Sequence, residues 1–287
     1  MDSAPYCTFQ RNLVYSNNPD VADIVETWQL PAWIIAAGEA TITAEKNKIK
    51  ARQRQEGIMV GDESATNVIA QSKGFKALNN IIIGARRGLT TYGQAIGAGL
   101  NNYTVAGNTI IMPNILPVYG DFAGMTLYPS ANNTNSVVSN NIIYSYAPTG
   151  QTQPLMNFGN SSTMSGVAFD NNLYYSVNGT TPFKSGSYPN EKLYNFTNWK
   201  SYAPKGYDTN SLYTDPLFAG TPGSFAPADY AIALLSPAKD AGADLSSTFT
   251  TDFLGNTRNK FDIGALEYDT SKTNTNTAPL IKSIIQK

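Results

Sequence analysis

Histidine is absent from all 287 residues, and cysteine occurs once, as Cys7. The first absence removes serine–histidine and cysteine–histidine nucleophile pairs, a histidine general base and histidine-ligated zinc. The second removes any intrachain disulfide and any cysteine metal cluster. Cys7 then reads as a small buried hydrophobe, and thiols give no information on the redox compartment. Charge is scarce too: Asp, Glu, Lys and Arg make up 14% of the chain and sum to a net −1. No global field is left to gather nucleic acid or an anionic membrane. Long apolar runs are missing, since the best stretch, Leu30 to Ala37, contains Pro31 and is less than half of the ~20 residues that a bilayer span needs. No basic n-region and apolar h-region open the chain, because Asp2 precedes any Lys or Arg. The resulting expectation is a downstream part of a longer secreted precursor, already mid-fold around Cys7 to Tyr15.

What is present is a globular composition with 41% apolar residues, enough for one large core. Asn, Ser, Thr, Gly and Tyr are plentiful, so the surface is made of neutral hydrogen-bonding groups, as in secreted or envelope proteins.

The chain also repeats. One or two Asn stand directly before a short β-branched or aromatic run at Asn12-Leu-Val-Tyr, Asn47-Lys-Ile-Lys, Asn80-Ile-Ile-Ile, Asn108-Thr-Ile-Ile, Asn141-Ile-Ile-Tyr and Asn172-Leu-Tyr-Tyr. The spacings are 35, 33, 28, 33 and 31 residues, a loose period with insertions. Each run is too short for a helix and is bounded by Gly, Asn, Ser and Pro, which is strand-and-turn chemistry. Further strand-like runs lie between, such as Gly57-Ile-Met-Val, Gly88-Leu-Thr-Thr-Tyr, Tyr103-Thr-Val and Gly124-Met-Thr-Leu-Tyr. Two or three strands make one coil. Coils stacked about 4.8 Å apart bury their apolar positions in one column, and Asn at the same corner of each forms a ladder. A β-sandwich also has many short strands but does not explain Asn at one phase of the period. The expected fold is therefore all-β, a parallel β-helix solenoid.

The recurring Gly-Ile/Met and Asn-Asn-Ile-Ile-Tyr pattern through residues 10–178 resembles the right-handed, single-stranded parallel β-helix proteins of the pectate-lyase-like superfamily. The C-terminal third carries Phe196-Thr-Asn-Trp199, Asp208-Thr-Asn-Ser211, Asp215-Pro-Leu-Phe218, Ser236-Pro-Ala-Lys-Asp240-Ala-Gly242, Asp252-Phe-Leu-Gly255-Asn-Thr-Arg258 and Asp262-Ile-Gly-Ala-Leu-Glu267-Tyr268. That ordered series resembles the choice-of-anchor Q type terminal segment of secreted bacterial β-helix proteins, with Lys239 where an apolar residue is common. The resemblance implies fold and an extracellular or cell-surface location, and no reaction. The expected organisation is a β-helix over 1–268 whose loop-rich cap spans about 184–268, then a linker and tail over 269–287 that begins a further module. The terminal Asp residues read as turn chemistry, with Arg258 set to pair with Asp252 or Asp262.

Chemistry is expected in the first coils, because fourteen charged residues lie between Glu39 and Arg87, whereas Gly88 to Phe183 holds only Asp121 and Asp170. Lys48, Lys50, Arg52 and Arg54 alternate with uncharged residues, so on a strand they form a cationic stripe ~20 Å long suited to an anionic glycan. Trp28 and Trp33 are added to this substrate-binding set, as rings that stack on pyranose faces. A β-eliminating lyase needs a cation at the uronate carboxylate and a base at the adjacent proton, and Lys73, Lys76, Arg86, Arg87 and Glu63 are the candidates. Asp62 and Glu63 are candidate calcium ligands, and calcium is the one cofactor suggested. A glycosidase would instead pair Asp62 or Glu63 with Glu39, Glu45 or Glu56. The Asp-Asp, Asn-Thr-Asp and Gly-His-Gly elements of polygalacturonases are missing, as is the pectate-lyase Asp-His element. The functional expectation is a secreted or surface protein that contacts polysaccharide, with no nucleic-acid partner and no membrane insertion. Three versions stay open: a polysaccharide lyase on an anionic glycan, a glycoside hydrolase, or a non-catalytic binding or structural module of a cell-surface or virion fibre.

Overall fold

Runs such as Ile81-Ile82-Ile83 and Ile142-Ile143-Tyr144 form strands, as β-branched and aromatic side chains favour. A computed structural model describes residues 7–15, 32–44, 56–62, 74–93, 102–112, 123–127, 135–146, 153–158, 166–179, 182–186, 191–202, 207–220 and 226–269. The first coil consists of β1 (Thr8–Gln10), β2 (Leu13–Tyr15) and β3 (Glu56–Asp62). The second consists of β4 (Lys76–Leu78), β5 (Ile81–Ile83) and β6 (Arg87–Gly93), and the third of β7 (Thr104–Ala106), β8 (Thr109–Ile111) and β9 (Ala123–Leu127). The fourth has β10 (Ser136–Ser139), β11 (Ile142–Ser145) and β12 (Met156–Phe158), and the fifth β13 (Val167–Asp170), β14 (Leu173–Ser176) and β15 (Phe183–Ser185).

Equivalent strands stack into three sheets: I (β1-β4-β7-β10-β13), II (β2-β5-β8-β11-β14) and III (β3-β6-β9-β12-β15), all with parallel pairing. The molecule is an all-β solenoid of three parallel sheets, and the antiparallel sandwich is excluded. The central residue of each sheet II strand points inward, so Val14, Ile82, Ile110, Ile143 and Tyr174 stand in one register column inside the main core. Sheet I adds Phe9, Ala77, Val105, Val138 and Phe169, and sheet III adds Ile58, Leu89, Met125, Met156 and Phe183. At the start of β6 the coils come too close for a side chain. A Cβ on Gly88 would lie 2.3 Å from Ile110 Cγ2 and 2.6 Å from the Gly124 carbonyl oxygen.

The corner between sheets I and II explains the Asn repeat. Asn12, Asn80, Asn108 and Asn141 each donate both backbone N–H and Nδ2–H to the Oδ1 of the next Asn in the series, which ends at Asn172, at 2.9–3.1 Å. From Asn80 onward, the second Nδ2 proton goes back to a carbonyl of the preceding coil, such as Val105 O for Asn141. These amides are buried and satisfied in both directions along the stack. Asn12 bonds directly to Asn80, so Asn47, which lies outside the described residues, is not the rung between them.

The residue before each rung turns the corner in the left-handed conformation: Arg11, Asn79, Gly107, Asn140 and Asn171 have φ of +52° to +65°. Asn is enriched there because its short side chain tolerates that region. This outer row holds the C-terminal segment. Asn171 Nδ2 donates to Ala241 O, Asn140 exchanges two hydrogen bonds with Ala243, Asn79 Nδ2 donates to Thr251 O, and Arg11 Nε donates to Phe253 O. At Gly107 a Cβ would lie 2.6 Å from Asn79 Oδ1 and 3.3 Å from the ring of Phe249, so the clasp packs against a bare corner. From residue 241 to 253 the chain therefore runs back from the fifth coil to the first as a clasp.

Residues expected to form one cap thus divide between two places. The segments on either side of that run complete the clasp and cover the outer face of sheet II, packing Tyr230, Ala265 and Leu266 on Ile81, Ile83, Ile111 and Tyr144, and Ile232, Ala238 and Ile263 on Ile142 and Leu173. A sheet buried on both faces reads as a continuous apolar run, which is why these strands do not alternate. The end of the stack is closed separately. There β16 (Lys192–Tyr194) pairs antiparallel with β15, β17 (Leu212–Tyr213) pairs with β14, and a short helix, Phe196–Tyr202, inserts Trp199 against Phe158 and Phe183 at ring distances of 4.8 and 5.0 Å. Trp199 Nε1, Tyr174 Oη and Ser211 Oγ all donate to the buried Asp208 carboxylate, and Ser211 Oγ accepts from Asn172 N as the last rung. Residues 270–287, the expected tail, lie outside the described residues.

Candidate functional site

Sheet III carries a row of polar residues on its outward side that is nevertheless largely buried. Its strands alternate, as in Met125-Thr126-Leu127 and Met156-Asn157-Phe158, with the apolar residues in the core. The outward column is Met59, Thr90, Thr126, Asn157 and Lys184, one residue per coil at about 4.8 Å intervals. Thr90 and Thr126 are each only 1% exposed, and neither hydroxyl has a hydrogen-bond partner. Asn157 Oδ1 is likewise covered and unpartnered. A buried polar group left unpaired costs about 1–3 kcal/mol, so adjacent orphans in one register column stand out in a fold that satisfies its Asn corner so fully.

Charge gathers where sheet II turns into sheet III. Glu56, which opens β3, accepts from Arg86 Nη2 at 2.7 Å and lies 3.5 Å from Arg87 Nη1. Glu56 and Arg87 are register neighbours, which explains the contact. At the far end of the column, Lys184 is paired with Glu191. Arg86 and Arg87 thus share the one carboxylate of Glu56, and Arg86 Nε is buried without a hydrogen-bond partner.

The other charged cluster belongs to the clasp. Arg258 is buried between the rings of Phe249 and Phe261 and donates to Glu267, the Asp262 and Gly264 carbonyls and Asn79 Oδ1. Its ion-pair partner is Glu267, in place of the expected Asp252 or Asp262 side chains. Asp252 accepts from Asn256 and the Glu267 amide, and Asp262 accepts from the Asp240 and Tyr268 amides, so both act as turn organisers. Burial pushes the Glu267 carboxyl up, against the pull of Arg258. An open cavity of about 570 Å³ beside this cluster is lined by Lys239, Asp240, Asp262, Glu267 and Tyr268, and Lys239 pairs with Asp240 across it. Among the described residues no group of acidic, His or Cys side chains is arranged to hold a metal ion.

Of the residues singled out from sequence, Glu56, Arg86 and Arg87 are brought together. Lys76 stands apart, exposed at the start of β4 in sheet I. Trp33 sits on a short helix, Ala32–Ala36, and is 70% exposed, while Glu39 is exposed beyond it. Trp28, Glu45, Lys48, Lys50, Arg52, Arg54, Glu63 and Lys73 lie outside the described residues, as does the side chain of Asp62. The Thr90–Thr126–Asn157 row escaped sequence reasoning. Its trace was the apolar-polar-apolar alternation in consecutive coils, hidden because neutral residues attract no attention in a search for charge. No protein-family model matches this chain, and neither does any curated protein.

Proposed function

We propose that this is a right-handed parallel β-helix, of the kind handled outside the cell or at its surface, that binds a polysaccharide across the outward face of sheet III. The handedness follows from the strong preference of parallel crossover connections for that hand. The observation that carries the function is the column Thr90, Thr126, Asn157 and Lys184. It lines up unsatisfied hydroxyl and amide groups at a fixed interval on a rigid parallel sheet, which suits a polymer of repeating hydroxyls. Neutral surface chemistry and the resemblance to secreted β-helix proteins support the compartment.

Binding is favoured over catalysis because the Arg86–Arg87 pair, the cation a lyase would use for uronate, already has Glu56 against it. The test is a panel of uronate-containing and neutral polysaccharides, read for retention of the protein, for ultraviolet absorbance of unsaturated product and for new reducing ends. Retention without either product is the expected result. Unsaturated product would make the protein a lyase, reducing ends without it a hydrolase, and the absence of any retention or product would overturn the proposal.

A further inference from the structure

Among the described residues Lys184 is the one buried lysine, 7% exposed, and two groups of complementary chemistry flank it. On one side stands Asn157, its direct register partner on the parallel strand β12, about 4.8 Å away across the sheet. Both side chains leave the same face of sheet III, because Met156, Phe158 and Phe183 beside them point into the core. On the other side β16 returns antiparallel, and Glu191, just before it, forms an ion pair with the Lys184 ammonium. Asn157 Oδ1 is covered and has no hydrogen-bond partner. An amine, a carboxamide and a carboxylate are thus set side by side, and the flexible four-carbon stem of Lys184 spans the distance to either neighbour.

We propose that Asn157 and Lys184 join in an intramolecular isopeptide bond, with Glu191 as the proton-transfer group. Glu191 takes one proton from the Lys184 ammonium, which frees the Nζ lone pair for attack on Asn157 Cγ. As a carboxylic acid it then donates to Asn157 Oδ1, supplying the partner that this oxygen lacks and drawing charge from the carbon under attack. The Nζ–Cγ bond forms, a second Nζ proton passes to Nδ2, and the Cγ–Nδ2 bond breaks. Ammonia leaves with the proton held by Glu191, as ammonium, so the carboxylate is restored and nothing is oxidised or reduced. The fold itself holds both reactants together, and no ligand or co-reactant has to enter. The new amide keeps one donor and one acceptor in the polar column, and its formation is independent of the polysaccharide reading. It staples the fourth coil to the fifth on sheet III, in a chain whose single cysteine allows no intrachain disulfide.

The experiment measures the intact mass of the full chain, held folded at neutral pH, for wild type, Lys184→Arg and Glu191→Gln, with chymotryptic peptide mapping and thermal unfolding of each. Arg keeps a cation beside Glu191 but offers no nucleophilic amine, and Gln keeps the shape of Glu without the base. Wild type is expected to lack the mass of one ammonia and to give a branched peptide joining the segments that carry Asn157 and Lys184. Both variants are expected to keep their full mass and to unfold several degrees lower. Cooperatively folded wild type at full mass would overturn the proposal, whether or not the variants fold. A deficit that persists in Lys184→Arg would come from Asn cyclisation on its own backbone and would overturn it equally. A branched peptide that survives Glu191→Gln would overturn the role given to that carboxylate.

Discussion

Thr109 and Thr126 belong to the same coil, both are buried, and they have opposite surroundings. Thr109 lies on sheet II under the clasp, and its Oγ1 accepts from the Ala265 amide at 2.9 Å. Thr126 lies on the outward side of sheet III, and its hydroxyl has no partner. The contrast extends over both sheets. On sheet II the outward positions are covered and mostly apolar, the hydroxyl of Thr109 is paired, and the neighbouring corner is fully hydrogen-bonded. On sheet III the outward column is neutral and polar, with orphaned groups in consecutive coils. One flank is organised for stability and the other keeps hydrogen-bonding capacity in reserve, which is the pattern expected where a protein departs from its own packing rules at a functional surface.

The largest expected effect is on the corner that holds both sheets. Asn141→Ala removes the acceptor for Asn108 N and Nδ2 and the donors to Val105 O and Asn172 Oδ1, all buried. Urea unfolding should show a loss of about 4 kcal/mol, near the upper range for a single substitution. Next comes the clasp. Arg258→Met leaves Glu267 without its cation and Asn79 Oδ1 without its donor, and should cost about 3 kcal/mol. Amide exchange should rise first in residues 241–266 and then along sheet II, while sheet III keeps its protection. Equal acceleration in both sheets would break the distinction between flanks.

A smaller effect depends on pH. Burial holds the Asp208 carboxyl up at about 6, above its ordinary 3.8, although hydrogen bonds from Ser211, Trp199 and Tyr174 pull the other way. Between those two values the folded protein keeps a proton that the unfolded chain has released. The contribution to stability is therefore complete below about 3.8 and is lost as the pH rises through 6. The loss is on the order of 2–3 kcal/mol, and Asp208→Asn should flatten this part of the stability profile. The smallest effect is the most direct comparison. Thr109→Val should cost about 1–2 kcal/mol by orphaning the Ala265 amide, whereas Thr126→Val should cost nothing or stabilise slightly. Equal losses in the two variants, measured by thermal unfolding, would mean that the sheet III hydroxyl has a structural role after all.

Much of the solenoid was readable in the sequence because stacking forces like residues into like positions. The Asn-Asn corners, the apolar triplets and the chain separations of 28, 33 and 31 residues along the ladder all follow from one geometric repeat. The C-terminal motifs were visible too, and Asp208, Ser211 and Trp199 do form one buried network. Asn47 shows the limit: it has the right neighbours and the right spacing, yet Asn12 bonds past it to Asn80. A periodic pattern proposes rungs, and only the hydrogen bonds between them decide which Asn follows which.

Sequence alone determined the class of the protein, the identity of its repeating corner and the exclusion of histidine chemistry and of an intrachain disulfide, since these depend on composition and on contacts between neighbours in a one-dimensional stack. Only the tertiary structure decided that residues 241–253 run back along five coils, that Arg258 pairs with Glu267, that Arg86 and Arg87 share Glu56, and that Thr109 is satisfied while Thr126 is not. Each of these depends on which distant segment lies against a given face, and a local pattern carries no record of its partner.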